Sequence, residues 1–200
     1  MRASRTFAFA ALAALLLATA ACDKLSAPAR SPFHGVDVTG MDVGGLQLTD
    51  FDGKPRSLAD FRGKLVAVIF GYTQCPDVCP TTLHDYADAM KALGKDAAQV
   101  QVLFVTVDPK RDTAELLRQY VGAFDPHFIG LRGDAPAIER VAKDFHIYVA
   151  EHPGRTPESY TVDHSSQVFV FDRQGKLRLM INAGTPSADI ASDLRVLLDN

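Results

Sequence analysis

No internal repeat, glycine-rich phosphate loop or low-complexity block occurs in this 200-residue chain. Their absence removes solenoids, P-loop nucleotide chemistry and compositionally biased tracts from consideration. Cysteine is scarce, at three residues. Two of these form the motif Cys75-x-x-x-Cys79 with no second C-x-x-C to complete it, which disfavours a closed tetrahedral zinc centre. A basic excess is also missing. The formal charge is −3, and loss of Arg2 and Arg5 with the leader leaves 19 basic against 24 acidic residues, a net −5. Nucleic acid is therefore not an expected partner.

What is present begins with an export signal. Arg2 and Arg5 precede an uncharged, Ala/Leu-rich run from Thr6 to Ala21 that stops at Cys22 and is followed by Asp23 and Lys24. This pattern fits a signal sequence over residues 1–21 better than a spanning helix. Cys22 follows Ala18-Thr19-Ala20-Ala21 and resembles the lipid-accepting cysteine of a bacterial lipoprotein, although Thr19 stands where such sites usually carry Leu. Ordinary cleavage near Ala20 and an uncleaved anchor are the alternatives. All three place the mature chain outside the inner membrane, facing an oxidising periplasm. Residues 22–40 read as a tether, and residues 41–200 as one domain large enough for a real core.

The chemistry concentrates in Gly71-Tyr72-Thr73-Gln74-Cys75-Pro76-Asp77-Val78-Cys79-Pro80. Residues 65–70 (Leu-Val-Ala-Val-Ile-Phe) are a continuous apolar run of the kind expected of a strand buried on both faces. Pro76 biases Cys75 away from the α region, and Pro80 suits a first helical position, with Cys79 as N-cap. Leu83, Tyr86, Ala87, Met90 and Leu93 then recur at helical spacing until Gly94. Both thiols thus fall near a helix N-terminus, whose partial positive charge favours thiolate. A loop at the carboxyl end of a parallel strand is where α/β folds place sites, so two inert core cysteines or a purely structural disulfide are disfavoured. The pair could cycle as a dithiol, hold zinc or copper with outside ligands, or supply a peroxide-reactive nucleophile.

Along the rest of the chain, residues 45–50 alternate and Asp52-Gly53 signals a hairpin or short leading strand. Residues 57–61 form a short turn. Residues 99–107 read as a Val-rich strand, and Asp112 or Thr113 caps a helix to Phe124. Asp134 caps another from about Pro136 to Phe145. Residues 150–162 read as a long loop, 167–171 and 177–181 as a hairpin, and 187–198 as an amphipathic helix. This order predicts an α/β, thioredoxin-like fold with a central mixed β-sheet flanked by helices on both faces.

A site that must hold Cu(II) as well as Cu(I) wants a nitrogen donor beside the thiolates. His164 is the best candidate, because it precedes the strand expected to run beside the cysteine strand. His84 lies at i+5 from Cys79 and points elsewhere, His34 falls in the tether, and His127, His146 and His152 sit in loops or element ends.

Taken together, Gly71–Pro80, Val-Asp-Pro-Lys-Arg-Asp-Thr at 107–113 and Asp-His-Ser at 163–165 are similar to the motifs of the Sco/SenC/PrrC family, over about residues 40–198. The resemblance implies a membrane-tethered copper protein with ligands Cys75, Cys79 and His164. Its role would be to take copper from a donor protein and help build the CuA centre in subunit II of cytochrome c oxidase. Asp163 would orient the histidine and Asp77 would tune charge in the loop. A Cys75–Cys79 disulfide would consume both thiolates and gate binding. The alternative is a thiol-disulfide oxidoreductase that uses Cys75 and Cys79 to reduce the acceptor's cysteines. A peroxidase is disfavoured, because such enzymes carry a lone cysteine in a Thr-x-x-Cys loop and this chain presents a close pair.

Overall fold

The structure, a computed structural model, describes residues 31–156 and 159–199. The leader and Cys22 lie outside the described residues, and the folded unit begins at Pro32. In chain order the elements are β1 (Val36–Asp37), β2 (Gln47–Asp50), β3 (Pro55–Ser57), β4 (Leu65–Gly71), α1 (Val78–Leu93), β5 (Val100–Thr106), α2 (Ala114–Gly122), β6 (Ile129–Arg132) and α3 (Ala135–Asp144). There follow β7 (Val149–His152), β8 (Thr161–His164), β9 (Val168–Phe171), β10 (Leu177–Ile181) and α4 (Ser187–Leu198).

Eight strands form one mixed sheet in the order β1-β10-β9-β4-β5-β6-β2-β3. Strands β4, β5 and β6 run parallel, and β9 lies antiparallel against β4. Every residue of β4, β5 and β9 is buried, as expected of largely apolar strands covered on both faces; the two polar residues of β5, Gln101 and Thr106, bond the His127 carbonyl and Asp112. The peripheral β10 instead alternates buried and half-buried residues. On one face Phe104 meets Tyr120 of α2, and a Cβ on Gly71 would strike Cys79 of α1. On the other, Phe70, Phe169 and Phe171 pack around Phe145, with ring centroids 5.2–6.1 Å apart. Helices therefore cover both faces, as the element order predicts.

Several boundaries differ from the sequence reading for identifiable reasons. The Asp193 carboxylate, buried on α4, accepts hydrogen bonds from the amides of His34 and Gly35, each at 2.8 Å. Val36 and Asp37 then pair with β10. The domain thus takes in residues assigned to the tether. Helix α1 starts at Val78 with Asp77 as its N-cap, so Cys79 lies inside the first turn and not at the cap. Of the two caps considered for α2, Thr113 is the one used; its hydroxyl accepts from the Leu116 amide. The stretch read as a loop over 150–162 contains all but the first residue of β7 and the start of β8, antiparallel strands that form a separate two-stranded sheet.

Candidate metal centre

Strand β4 delivers the chain to the site at Gly71, where close packing demands a glycine. A Cβ there would lie 2.8 Å from Cys79 Sγ and 2.8 Å from Phe104 Cε2. The loop from Tyr72 to Asp77 is then fastened from below by Asp112, which is fully buried. Its carboxylate accepts from the Thr73 amide at 3.1 Å, the Thr73 hydroxyl at 2.6 Å and the Thr106 hydroxyl at 2.6 Å. Burial pushes the Asp112 pKa up, and the hydrogen bonds from Thr106 and Thr73 oppose that shift. Asp112 therefore positions the loop instead of capping a helix.

Within the loop, the Cys79 amide donates to Cys75 Sγ at 3.4 Å. Cys79 Sγ lies 3.3 Å from His164 Nε2. The ligand atoms of Cys75, Cys79 and His164 all lie within 4.8 Å of one another. The structure therefore brings together the three donors that the sequence singles out. Among the described residues this is the one Cys/His/Asp/Glu cluster of that kind.

The tautomer of His164 follows from its neighbours. Its Nδ1 sits 2.9 Å from the Ser165 carbonyl oxygen, which can only accept, so Nδ1 carries the hydrogen. The Nε2 lone pair is then directed at the thiols. Orientation of a ligand histidine by a backbone carbonyl is a usual outer support of a metal site. The Tyr72 ring adds an edge-on contact, its centroid 6.0 Å from that of the imidazole.

The two thiols are not equivalent. Cys79 is buried and Cys75 partly exposed. A hydrogen bond from the Cys79 thiol, helped by the amides of Asp77 and Cys79, lowers the Cys75 pKa to about 5. The same interaction with Cys75, followed by burial, pushes Cys79 strongly up. A metal that takes both sulfurs must displace any proton that the pair holds. Two thiolates and an imidazole form a soft, partly open donor set. Such a set suits Cu(I) through sulfur and admits Cu(II) through nitrogen.

Two candidate supporting residues take other roles. The Asp163 carboxylate pairs with His152 across the hairpin at 2.8 Å, with both side chains exposed, so the orienting contact on His164 Nδ1 comes from Ser165. Asp77 is exposed; its carbonyl accepts from the Thr81 amide and hydroxyl. It acts on Cys75 through its amide, not its carboxylate.

Sequence reasoning assigned no role to a set of polar residues beside the site. Tyr160 donates its hydroxyl to Asp108 at 2.7 Å, and Arg111 pairs with the same carboxylate. Asp108, Arg111 and Asp112 all fall in the 107–113 motif. The available signal was a cluster of charged residues directly after a Val-rich, fully buried strand, where burial demands partners.

A model for a family described as SCO1/SenC matches residues 40–199. The mitochondrial SCO2 homolog of Bos taurus is 37% identical over 134 residues, which are 66% of this chain and 50% of that protein. The chain thus spans about half the length of that relative. The structure of Bradyrhizobium japonicum ScoI with copper bound is 37% identical, with a TM-score of 0.73, and the match covers 78% of this chain and 99% of that one. Apo Sco1 from Thermus thermophilus is 35% identical, with a TM-score of 0.75, over 84% of this chain and 99% of that one.

Proposed function

The chain belongs to the SCO1/SenC family, and from that premise we propose that it binds one copper ion through Cys75, Cys79 and His164 and delivers it to the CuA centre of cytochrome c oxidase. The observation that carries this reading is the convergence of the three donor atoms within 4.8 Å, where the end of the β7–β8 hairpin meets the loop after β4. Copper is cargo in this scheme, so an incomplete coordination sphere is useful. It leaves an approach for an acceptor thiolate, and transfer can proceed by ligand exchange.

A groove of about 600 Å³ opens beside Cys75 and His164, bordered by Pro76, Val78 and Tyr148, and it offers the acceptor that approach. Oxidation to a Cys75–Cys79 disulfide removes both thiolates and gates delivery. The domain works at the outer face of the bacterial inner membrane. Cys22 carries lipid, and the tether is the stretch between Cys22 and the first residues bonded to α4. Single acylation anchors only marginally, so attachment relies on the several chains of a bacterial lipoprotein.

The reductase reading is favoured by one observation, the partly exposed Cys75 set against the buried Cys79, an attacking sulfur beside a resolving one. Disulfide exchange needs an attacking thiolate and a resolving cysteine but no imidazole. The two readings separate in one experiment. The reduced full chain and His164→Ala are titrated anaerobically with Cu(I), Cu(II) and zinc, then assayed side by side for acceptor metallation and acceptor disulfide reduction. Delivery predicts one copper per wild-type chain, and a variant that reduces but fails to metallate. Retention of both activities by the variant would sink the delivery mechanism. For the anchor, mass spectrometry of the mature N-terminus should find lipid on Cys22; an unmodified terminus or an intact leader contradicts it.

A further inference from the structure

The residues that hold the two halves of the donor set together converge on one guanidinium. Arg111 lies in the loop after β5, its side chain 13% exposed. Its Nη1 donates to Gln74 Oε1 at 3.1 Å, next to Cys75, and to the Tyr160 carbonyl at 2.8 Å, next to β8. Its Cζ lies 3.6 Å from the centroid of the Tyr160 ring and 5.7 Å from that of the Tyr72 ring. Asp108, 1% exposed, then receives both Arg111 Nε and the Tyr160 hydroxyl. The His164 hairpin has no strand pairing with the main sheet, so its placement depends on such contacts. Further contacts include the buried Val162, whose amide reaches the Tyr72 hydroxyl at 3.4 Å, the edge-on His164 and Tyr72 rings, and an exposed Lys110–Glu151 pair.

Building on the copper-binding reading, we propose that Arg111 is a positioning residue that sets the separation between the cysteine loop and the His164 arm, and thereby the protein's hold on Cu(II). Arginine suits this task where lysine does not. Its planar fork donates in two directions at once and stacks on an aromatic face, whereas an ammonium is a point charge. Loss of the fork frees the arm while leaving both thiolates on α1 and its loop. The effect should therefore fall on the ion that needs nitrogen.

The test uses the reduced full chain in detergent. Arg111→Gln and Arg111→Lys should each weaken Cu(II) about 10- to 100-fold, the usual cost of losing an outer support, and weaken Cu(I) much less. Tyr160→Phe keeps the ring and carbonyl but loses the bond to Asp108, and should fall between these variants and wild type. An independent readout needs no copper: the proton NOE between the Tyr72 and His164 rings should weaken in both Arg111 variants. This separates the inference from the copper reading, since a wild type that binds no copper through His164 would defeat that reading while the NOE still reports on Arg111. Wild-type Cu(II) affinity and NOE in Arg111→Gln, or equal weakening of Cu(I) and Cu(II), overturns the proposal. Should Arg111→Gln fail to fold, wild-type NOE and Cu(II) affinity in both Arg111→Lys and Tyr160→Phe overturn it equally.

Discussion

Cys79 is 1% exposed and rides on a helix laid across a strand that is hydrogen-bonded on both sides, with Gly71 and Phe104 filling the space beneath it. His164 ends a hairpin whose strands pair with each other and meet the main body through polar and aromatic side chains. One half of the donor set is thus positioned by the packed core and the other by a polar network centred on the largely buried Arg111–Asp108 pair. Core packing is cooperative, and displacing Cys79 would cost a large share of the domain's stability. The neutral hydrogen bonds of the arm contribute about 1 kcal/mol apiece, so they can be broken without unfolding, whereas loss of the largely buried Arg111–Asp108 pair costs more. A protein that must hold an ion and then give it up gains from that division, since the thiolates keep the soft ion while the imidazole adds or withdraws a ligand.

The largest expected effect comes from the core-held half. Cys79→Ser replaces a soft thiolate with a hydroxyl that does not ionise near neutral pH, so Cu(I) should be lost during gel filtration of the loaded chain. Retention of stoichiometric Cu(I) by this variant would show that the second sulfur is not a ligand. Asp112→Ala tests the floor of the same half. It strands the Thr73 amide and the Thr73 and Thr106 hydroxyls in a buried site, and should destabilise the domain by about 3 kcal/mol in urea unfolding. A change below about 1 kcal/mol would mean that the loop does not depend on that carboxylate.

The two halves also differed in how far the sequence disclosed them. The cysteine loop was legible because its signals are local: an apolar strand, two prolines, a helical period and Gly94, which caps α1 with φ of 60°. The hairpin was hidden because Pro153, Gly154 and Pro157 read as loop residues, and because Arg111 reaches Tyr160 across 49 residues of sequence. The tether boundary failed for the same reason. Asp193 captures the amides of His34 and Gly35 from 159 and 158 residues away, and nothing near residue 34 announces it. His164 itself was found by its donor type and its place before β9, although the Ser165 carbonyl that fixes its tautomer belongs to backbone geometry that side-chain identities do not reveal.

His164→Ala sharpens the contrast. The side chain is partly exposed and outside the packed core, so thermal stability should shift by less than about 1 kcal/mol. Cu(II) affinity should fall more than Cu(I) affinity, because two thiolates still suffice for the softer ion. Loss of nitrogen hyperfine coupling in the Cu(II) electron spin resonance spectrum reports this directly; an unchanged spectrum removes His164 from the site.

The smallest expected effect concerns Asp163, which neighbours the ligand in sequence and points away from it in space. Its carboxylate is 67% exposed and pairs with His152, itself 53% exposed, a solvent-screened contact that contributes well under about 1 kcal/mol. Asp163→Asn keeps the shape and removes the charge. It should therefore leave stability within about 0.5 kcal/mol and the Cu(II) spectrum unaltered, because the hydrogen on His164 Nδ1 is held by the Ser165 carbonyl at 2.9 Å. A carboxylate that oriented the imidazole would give the opposite result, since its loss would lower the basicity of Nε2 and weaken Cu(II) about tenfold or more. Titration of this one variant with Cu(II) therefore decides whether the arm presents its histidine through backbone alone or through the charge beside it.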